Sequence, residues 1–165
     1  MLDDGQRLNE LAEAYQDELL RVCYMILRDR GLAEDAVQET FLKAYRALPG
    51  FREESSPRTW LTRIAVNTCR DMRRRAWFRL TRLDDLPERS APHDRNARDE
   101  AITVSAEIAR LPDRLRTAVI LYYYQDMTVE EVANTLGISR SSASERLKRG
   151  REKLRQALKG EYFDE

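Results

Sequence analysis

The segment from Met127 to Leu158 carries the local signals of two consecutive helices separated by a glycine turn. Thr128 and Glu131 have the spacing of a capping box, and an apolar stripe at helical spacing follows them. Gly137 is suited to end this helix, and Ser139 can cap the next one. The pattern predicts a helix-turn-helix, which limits this part of the chain to a small helical domain.

The second helix of this pair buries Ala143 and Leu147 and turns a mainly basic set of side chains outward. A helix fits the DNA major groove, where such side chains can bond base edges while flanking cations hold phosphates. The alternative is an ordinary helical hairpin with a solvated charged face. The outward residues, called the recognition face below, are Arg140, Ser141, Ser144, Glu145, Lys148 and Arg149.

Charge is distributed unevenly along the 165 residues, although 29 basic and 29 acidic side chains give a formal net charge of zero. The first third is acidic, whereas Asp71 is the only acid among six arginines between Arg70 and Arg82. The last predicted helix is basic again. Two separate cationic surfaces suggest that the chain touches a polyanion in two places.

Cysteine and histidine content argues against a metal site. Cys23 and Cys69 have no CxxC spacing, and His93 alone cannot complete a zinc set, so neither a metal site nor a disulfide framework is expected. We expect Cys23 in a core and Cys69 as a helix-surface or half-buried thiol, although Arg70 and Arg73 could favour its thiolate. No nucleophile–base pair is evident, so we predict no catalytic residues, cofactor or small-molecule substrate.

The N-terminus lacks a basic start followed by an apolar run, and no apolar stretch reaches membrane-spanning length. We therefore expect a cytoplasmic protein with no direct membrane insertion.

Helical periodicity predicts three amphipathic helices that close one compact core in the first half of the chain. The first ends near residues 29–31, the second runs from about Ala33 to Pro49-Gly50, and the third from Pro57 to past Arg75. The second helix is expected to bury Val37, Phe41, Ala44, Tyr45 and Leu48. The third is expected to bury Trp60, Leu61, Ile64, Ala65, Thr68 and Met72.

The apolar pattern fails from about Leu80 to Asn96, where acids and prolines interrupt it, as expected of a mobile linker. Helical periodicity resumes from about Ala97 to Arg110, and Pro112 opens a further helix that leads to the helix-turn-helix. No strand alternation is present. The predicted fold is all-α, with two small helical domains joined by a flexible linker and a C-terminal helix-turn-helix.

The outer face of the third helix presents Arg63, Asn67, Arg70 and Arg74, spaced four, three and four residues apart, with Arg73 beside them. We call the four spaced residues the arginine stripe. Guanidinium groups suit phosphates, and an amide can both donate to and accept from an exposed base. A solvated arginine-rich face is the alternative, but a second basic surface on the same chain favours nucleic-acid binding.

The second helix turns an exposed leucine outward among polar neighbours, a pattern typical of a small protein-docking surface. Solvated charged residues are the alternative explanation. The residues of this docking face are Asp35, Gln38, Glu39, Leu42 and Lys43.

The segments Ala33–Arg46, Arg58–Asp71 and Leu111–Arg116, followed by the helix-turn-helix, resemble an extracytoplasmic-function (ECF) sigma factor of bacterial RNA polymerase, in the sigma-70 superfamily. The resemblance covers nearly the whole chain. It implies a region 2 domain over residues 1–79, a linker over 80–100 and a region 4 domain over 101–165, with no catalytic activity of their own.

Residue by residue, the resemblance implies that the docking face binds the clamp helices of the beta-prime subunit of core polymerase. Asn67 and the loop 51–56 would capture a flipped base of the minus-10 element of promoter DNA. Arg63, Arg70, Arg73 and Arg74 would hold that strand. The recognition face would meet the minus-35 element, where Ser144 and Glu145 stand in place of an arginine common in relatives.

The resemblance also implies an anti-sigma factor as a partner, which could hold the chain at the membrane. Two other classes compete with this hypothesis. A stand-alone helix-turn-helix repressor or activator would leave the docking face and the arginine stripe without a role. An enzyme acting on nucleic acid would require a nucleophile–base pair or a two-metal set that the sequence does not offer.

Overall fold

A computed structural model describes residues 2–51, 55–83 and 100–162. The chain divides into two compact units, residues 1–89 and 90–165. The described residues are helical with no strand, which confirms the predicted fold class. The helices are α1 (Asp4–Leu27), α2 (Arg30–Ala47), α3 (Pro57–Leu83), α4 (Glu100–Arg110), α5 (Asp113–Tyr123), α6 (Val129–Leu136) and α7 (Arg140–Tyr162), with a short 3-10 turn at Leu48–Gly50.

A tight joint connects α1 to α2. Arg28 adopts a left-handed conformation (φ 60°) and donates its N–H to the carbonyl of Tyr24, which ends α1. The Asp29 carboxylate accepts the N–H of Leu32 at 2.9 Å and so caps α2. The helix therefore begins at Arg30, three residues before the predicted start, because Asp29 acts as a cap.

The first unit encloses its core among α1, α2 and α3, which pack against one another in all three pairs. Small buried residues on α2, among them Ala36 and Ala44, let the three helices approach closely. The prediction that Tyr45 lies in this core is wrong, since its side chain is 49% exposed. Thr40 is buried instead, and its hydroxyl donates to the carbonyl of Ala36 at 2.6 Å, which satisfies the polar group inside the core.

Cys69 is completely buried, so the prediction of a surface or half-buried thiol is wrong. It faces Cys23 across the α1–α3 contact, and both are free cysteines. A hydrogen bond with Cys69, and then burial, raise the pKa of the Cys23 thiol well above its ordinary value. Neither thiol is therefore exposed beside Arg70 and Arg73, and Cys69 packs in the core of the first unit.

Residues 84–99 of the predicted linker lie outside the described residues. Of the remainder, residues 80–83 continue α3, and Glu100 begins α4. In the second unit, α7 packs against α4, α5 and α6. Its core includes Ile120, Leu121, Val132, Ala143 and Leu147, all less than 2% exposed. No helix among residues 2–51, 55–83 and 100–162 is long and apolar enough to cross a membrane.

Candidate nucleic-acid and protein interfaces

The helix-turn-helix forms at the predicted residues. Thr128 and Glu131 make a reciprocal capping box at the start of α6, with both hydrogen bonds 3.1 Å long. Gly137 ends α6 in the left-handed conformation (φ 67°), which a residue with a Cβ would adopt only with strain. The Ser139 hydroxyl then accepts the N–H of Ser142 at 3.1 Å and caps α7.

All six residues of the recognition face are exposed, while Ala143 and Leu147 on the opposite side of α7 are buried. Within this face the Glu145 carboxylate accepts the Nε–H of Arg149 at 3.0 Å, one turn further along the helix. The pair is exposed to solvent, so it is weak and can be exchanged for contacts with a ligand. The face offers hydroxyl, carboxylate, ammonium and guanidinium groups on one helical surface.

Gly150 allows α7 to approach α5 closely, a feature that the sequence interpretation missed. A Cβ at this position would lie 2.7 Å from Cγ2 of Val119, closer than side chains tolerate. Both residues are buried, so neither has room to move. The glycine therefore fixes the distance between α5 and the helix that bears the recognition face.

Arg116 is a second missed residue, and it is a buried cation at the α4–α5 joint. It is 3% exposed, pairs with Asp113 at 2.7 Å, and donates to the carbonyls of Ala109 at 3.0 Å and Leu111 at 3.2 Å. These bonds satisfy carbonyls at the end of α4 that have no partner within the helix. Arg116 belongs to the quoted Leu111–Arg116 motif, but only the structure shows that it is structural.

The arginine stripe lies on α3 as predicted, but its members are unequally exposed. Asn67 and Arg74 are exposed, whereas Arg63 and Arg70 are half-buried. Arg73, beside the stripe, is half-buried and donates to the carbonyl of Ile26 in the last turn of α1. That hydrogen bond ties α3 to the end of α1, so Arg73 has a structural partner within the unit.

The docking face on α2 contains two kinds of residue. Asp35, Gln38 and Leu42 are exposed, and Leu42 is 60% exposed, which is unusual for a leucine on a packed helix. Glu39 and Lys43 are half-buried and pair with each other at 3.5 Å.

Glu39 and Lys43 also connect α2 to α3. Lys43 donates to the hydroxyl of Thr68 at 3.1 Å and pairs with Asp71 at 3.7 Å, while Glu39 pairs with Arg75 at 3.6 Å. These two members of the predicted docking face therefore position α2 on α3, a role that the sequence did not suggest.

An aromatic pair connects the start of the loop before α3 with the first turn of that helix. Phe51 stacks on Trp60 with ring centroids 4.4 Å apart, and both rings are half-buried. Phe51 also lines an open groove of about 770 Å³ between Pro57 and the first turns of α1. Residues 52–54 of the predicted base-binding loop lie outside the described residues.

Comparison with known protein families matches both units. Residues 11–79 match the model of sigma-70 region 2, and residues 108–156 match that of sigma-70 region 4. An ECF RNA polymerase sigma factor, SigM of Mycobacterium tuberculosis, is 32% identical over 94% of this chain and 79% of its own length. The chain belongs to the ECF sigma factors.

Other relatives of this ECF sigma factor match over similar lengths. The RNA polymerase sigma-H factor of Pseudomonas aeruginosa is 32% identical over 94% of this chain and 88% of its own. SigW of Bacillus subtilis, also an ECF RNA polymerase sigma factor, is 29% identical over 94% of this chain and 91% of its own.

Two solved structures share the fold. The sigma factor RpoE of Bartonella quintana, solved with the anti-sigma factor NepR, superposes with a TM-score of 0.79 at 22% identity over 95% of this chain and 98% of that one. CnrH, solved with the cytosolic domain of CnrY, superposes with a TM-score of 0.65 at 25% identity over 93% and 88%. The region 2 match contains the docking face and the arginine stripe, and the region 4 match contains the recognition face.

Proposed function

We propose that this ECF sigma factor binds core RNA polymerase and directs it to promoters, with the first unit engaging the minus-10 element and the second the minus-35 element. The observation that carries this proposal is the recognition face, whose six side chains are all exposed on the second helix of a capped helix-turn-helix. The chain acts as an initiation factor, and the polymerase supplies the chemistry of RNA synthesis.

The recognition face reads the minus-35 element in the major groove. Arg140, Lys148 and Arg149 provide cations for phosphates or guanine edges, and Ser141 and Ser144 provide hydroxyls. Glu145 can accept from a cytosine amino group once Arg149 moves from it to the DNA. Gly150 supports this face by holding α7 against α5.

Asn67 reads a flipped base of the minus-10 element, because it is the exposed amide within the arginine stripe. Arg63, Arg70 and Arg74 hold the strand backbone on either side. Arg73 contributes mainly by fixing α3 to α1, since its guanidinium already bonds the carbonyl of Ile26.

The docking face binds the beta-prime clamp helices through Asp35, Gln38 and Leu42, which are exposed. Burying an exposed leucine inside a polar rim is the usual arrangement of a small interface. Glu39 and Lys43 support this face by their bonds to α3.

An anti-sigma factor regulates the protein in the cytoplasm by covering these exposed faces, and a membrane-anchored one would hold the chain at the membrane. CnrH was solved in complex with the cytosolic domain of CnrY, which supports a protein partner for this chain.

The test is transcription by core polymerase reconstituted with the purified chain. Leu42→Asp should abolish assembly with the core enzyme and initiation, because it introduces a charge into the centre of the docking face. Leu2→Asp is the matched control, since Leu2 is also an exposed leucine (46%) but lies outside α2. Equal assembly by both variants would contradict the docking assignment. A chain that binds duplex DNA but never joins polymerase would instead indicate a stand-alone regulator.

A further inference from the structure

The last turn of α3 whose side chains are described, residues 74–77, is exposed on every side. Arg74, Arg75, Ala76 and Trp77 are consecutive and all exposed. Successive helical residues are about 100° apart, so four of them sample most of the helix circumference. This turn therefore extends beyond the packed core of the first unit. Trp77 is 61% exposed, although tryptophan is highly buried on average.

Trp77 continues the arginine stripe. It lies three residues after Arg74, so the spacing from Arg63 through Asn67, Arg70 and Arg74 to Trp77 is four, three, four and three. Residues at this spacing share one helical face. Trp77 is about 15 Å along the helix axis from Asn67, several times the roughly 3.4 Å between stacked bases. It would therefore meet a different nucleotide from the one at Asn67.

The charged residues next to Trp77 indicate which kind of ligand would bind its indole ring. Exposed Arg74 and Arg75 precede it, and Arg75 has its carboxylate partner, Glu39, on α2. An apolar protein surface would have to desolvate these guanidinium groups. A nucleic-acid strand satisfies both features, because phosphates bind the arginines and the flat face of a base binds the indole ring.

We infer that Trp77 stacks on an unpaired base of the promoter strand and extends the minus-10 surface beyond the nucleotide bound at Asn67. The inference rests on the proposed function and adds a contact residue to it. Stacking on an aromatic ring tolerates any base, so Trp77 contributes affinity for the melted strand and little sequence preference.

The test uses holoenzyme made from core polymerase and the full chain, on a bubble template whose start site the wild type has selected. The unpaired strand carries 2-aminopurine at one position at a time. Trp77→Leu should weaken open-complex formation by about tenfold, whereas Trp77→Phe, which keeps a ring, should lose about threefold or less. One 2-aminopurine position should be quenched by wild type and Trp77→Phe but not by Trp77→Leu.

Salt dependence separates stacking from charge. Trp77→Leu should leave the slope of log affinity against log salt unchanged, whereas Arg74→Ala should reduce it by about 0.7. Wild-type open-complex affinity in Trp77→Leu would overturn the inference. A loss of binding to core polymerase in this variant would also overturn it, because the indole would then contact the polymerase and not the DNA. If the wild type selects no start site, the proposed function fails and this inference falls with it.

Discussion

The recognition face on α7 and the arginine stripe on α3 use similar side chains but have different roles in the free protein. Every residue of the recognition face is exposed, and its Glu145–Arg149 ion pair stays within one turn of α7. On α3, Arg63 and Arg70 are half-buried, and the adjacent Arg73 bonds the end of α1. The residues of the recognition face thus take no part in packing the core of their unit. On α3, by contrast, some of the residues of the basic surface also help to hold the first unit together.

This difference has a thermodynamic consequence. A substitution on the recognition face should change DNA binding and leave stability almost unchanged, because surface side chains contribute little to folding. A substitution on α3 can change both.

The largest expected effect is at Arg116, which supports the second unit without reaching its surface. Arg116→Leu should destabilise this unit by about 2–4 kcal/mol, because it removes the donor to two backbone carbonyls together with the ion pair to the partly exposed Asp113. Urea denaturation followed by circular dichroism measures the loss. Arg114→Leu is the matched control, since Arg114 is exposed, and it should change stability by about 0.5 kcal/mol or less. Equal effects of the two variants would refute the structural role.

Arg73 and Arg74 are adjacent on α3 but have different roles, since Arg73 holds α3 to α1 and Arg74 lies on the exposed surface. Arg73→Ala should destabilise the first unit by about 1.5–3 kcal/mol through the lost charged hydrogen bond to Ile26. Arg74→Ala, at an exposed position, should leave the free energy of unfolding within about 0.5 kcal/mol of wild type. Denaturant titration of both variants checks this. If Arg74→Ala proved the more destabilising, the division of roles on α3 would be wrong.

Asn67→Ala should cost about 1–3 kcal/mol of discrimination between matched and mismatched minus-10 elements, with no loss of folding, because Asn67 is exposed. Abortive initiation on the two templates measures it. Asn134→Ala, at an exposed position on α6, should discriminate as the wild type does. Unchanged discrimination by Asn67→Ala would remove Asn67 from the base-binding site.

The capping box at Thr128 should have a moderate effect. Thr128→Ala removes the acceptor for the N–H of Glu131 and should destabilise the second unit by about 1 kcal/mol. Thr128→Ser keeps the hydroxyl and should retain most of that stability. Thermal melting compares the two variants, and a serine variant as unstable as the alanine variant would mean that the hydroxyl bond is unimportant.

The smallest effect is expected for a single cation on the recognition face. Lys148→Ala should reduce the slope of log affinity against log salt on minus-35 duplex DNA by about 0.9, without changing stability. Lys153, also exposed on α7, lies outside the recognition face, so Lys153→Ala should keep the wild-type slope. Fluorescence anisotropy over a salt series gives the slopes, and an unaltered slope for Lys148→Ala would show that it makes no phosphate contact.

Most features set by neighbouring residues were predictable from the sequence, although the Asp29 cap that starts α2 at Arg30 was missed. The capping box at Thr128, the turn at Gly137 and the cap at Ser139 all depend on side chains within a few positions of the backbone groups they bond. The recognition face follows from these signals, because they fix where α7 starts and which side it buries.

Features set by packing between helices were not predictable in this way. Tyr45 fits an apolar stripe by spacing, yet Thr40 fills the core because its hydroxyl bonds within its own helix. Cys69 was misplaced because its burial depends on α1, and the role of Lys43 depends on Thr68 and Asp71 of α3. Asn67 and Leu42 were placed correctly on exposed faces, but their binding roles remain predictions.

The central claim is that the two units read separate promoter elements for one polymerase. The most direct test sequences the transcripts that core polymerase and this chain start on a library of random templates. We predict two enriched elements at a fixed separation, with Asn67→Ala weakening only the downstream one and Arg149→Ala only the upstream one. Start sites without enriched elements, or variants that alter the same element, would contradict the claim.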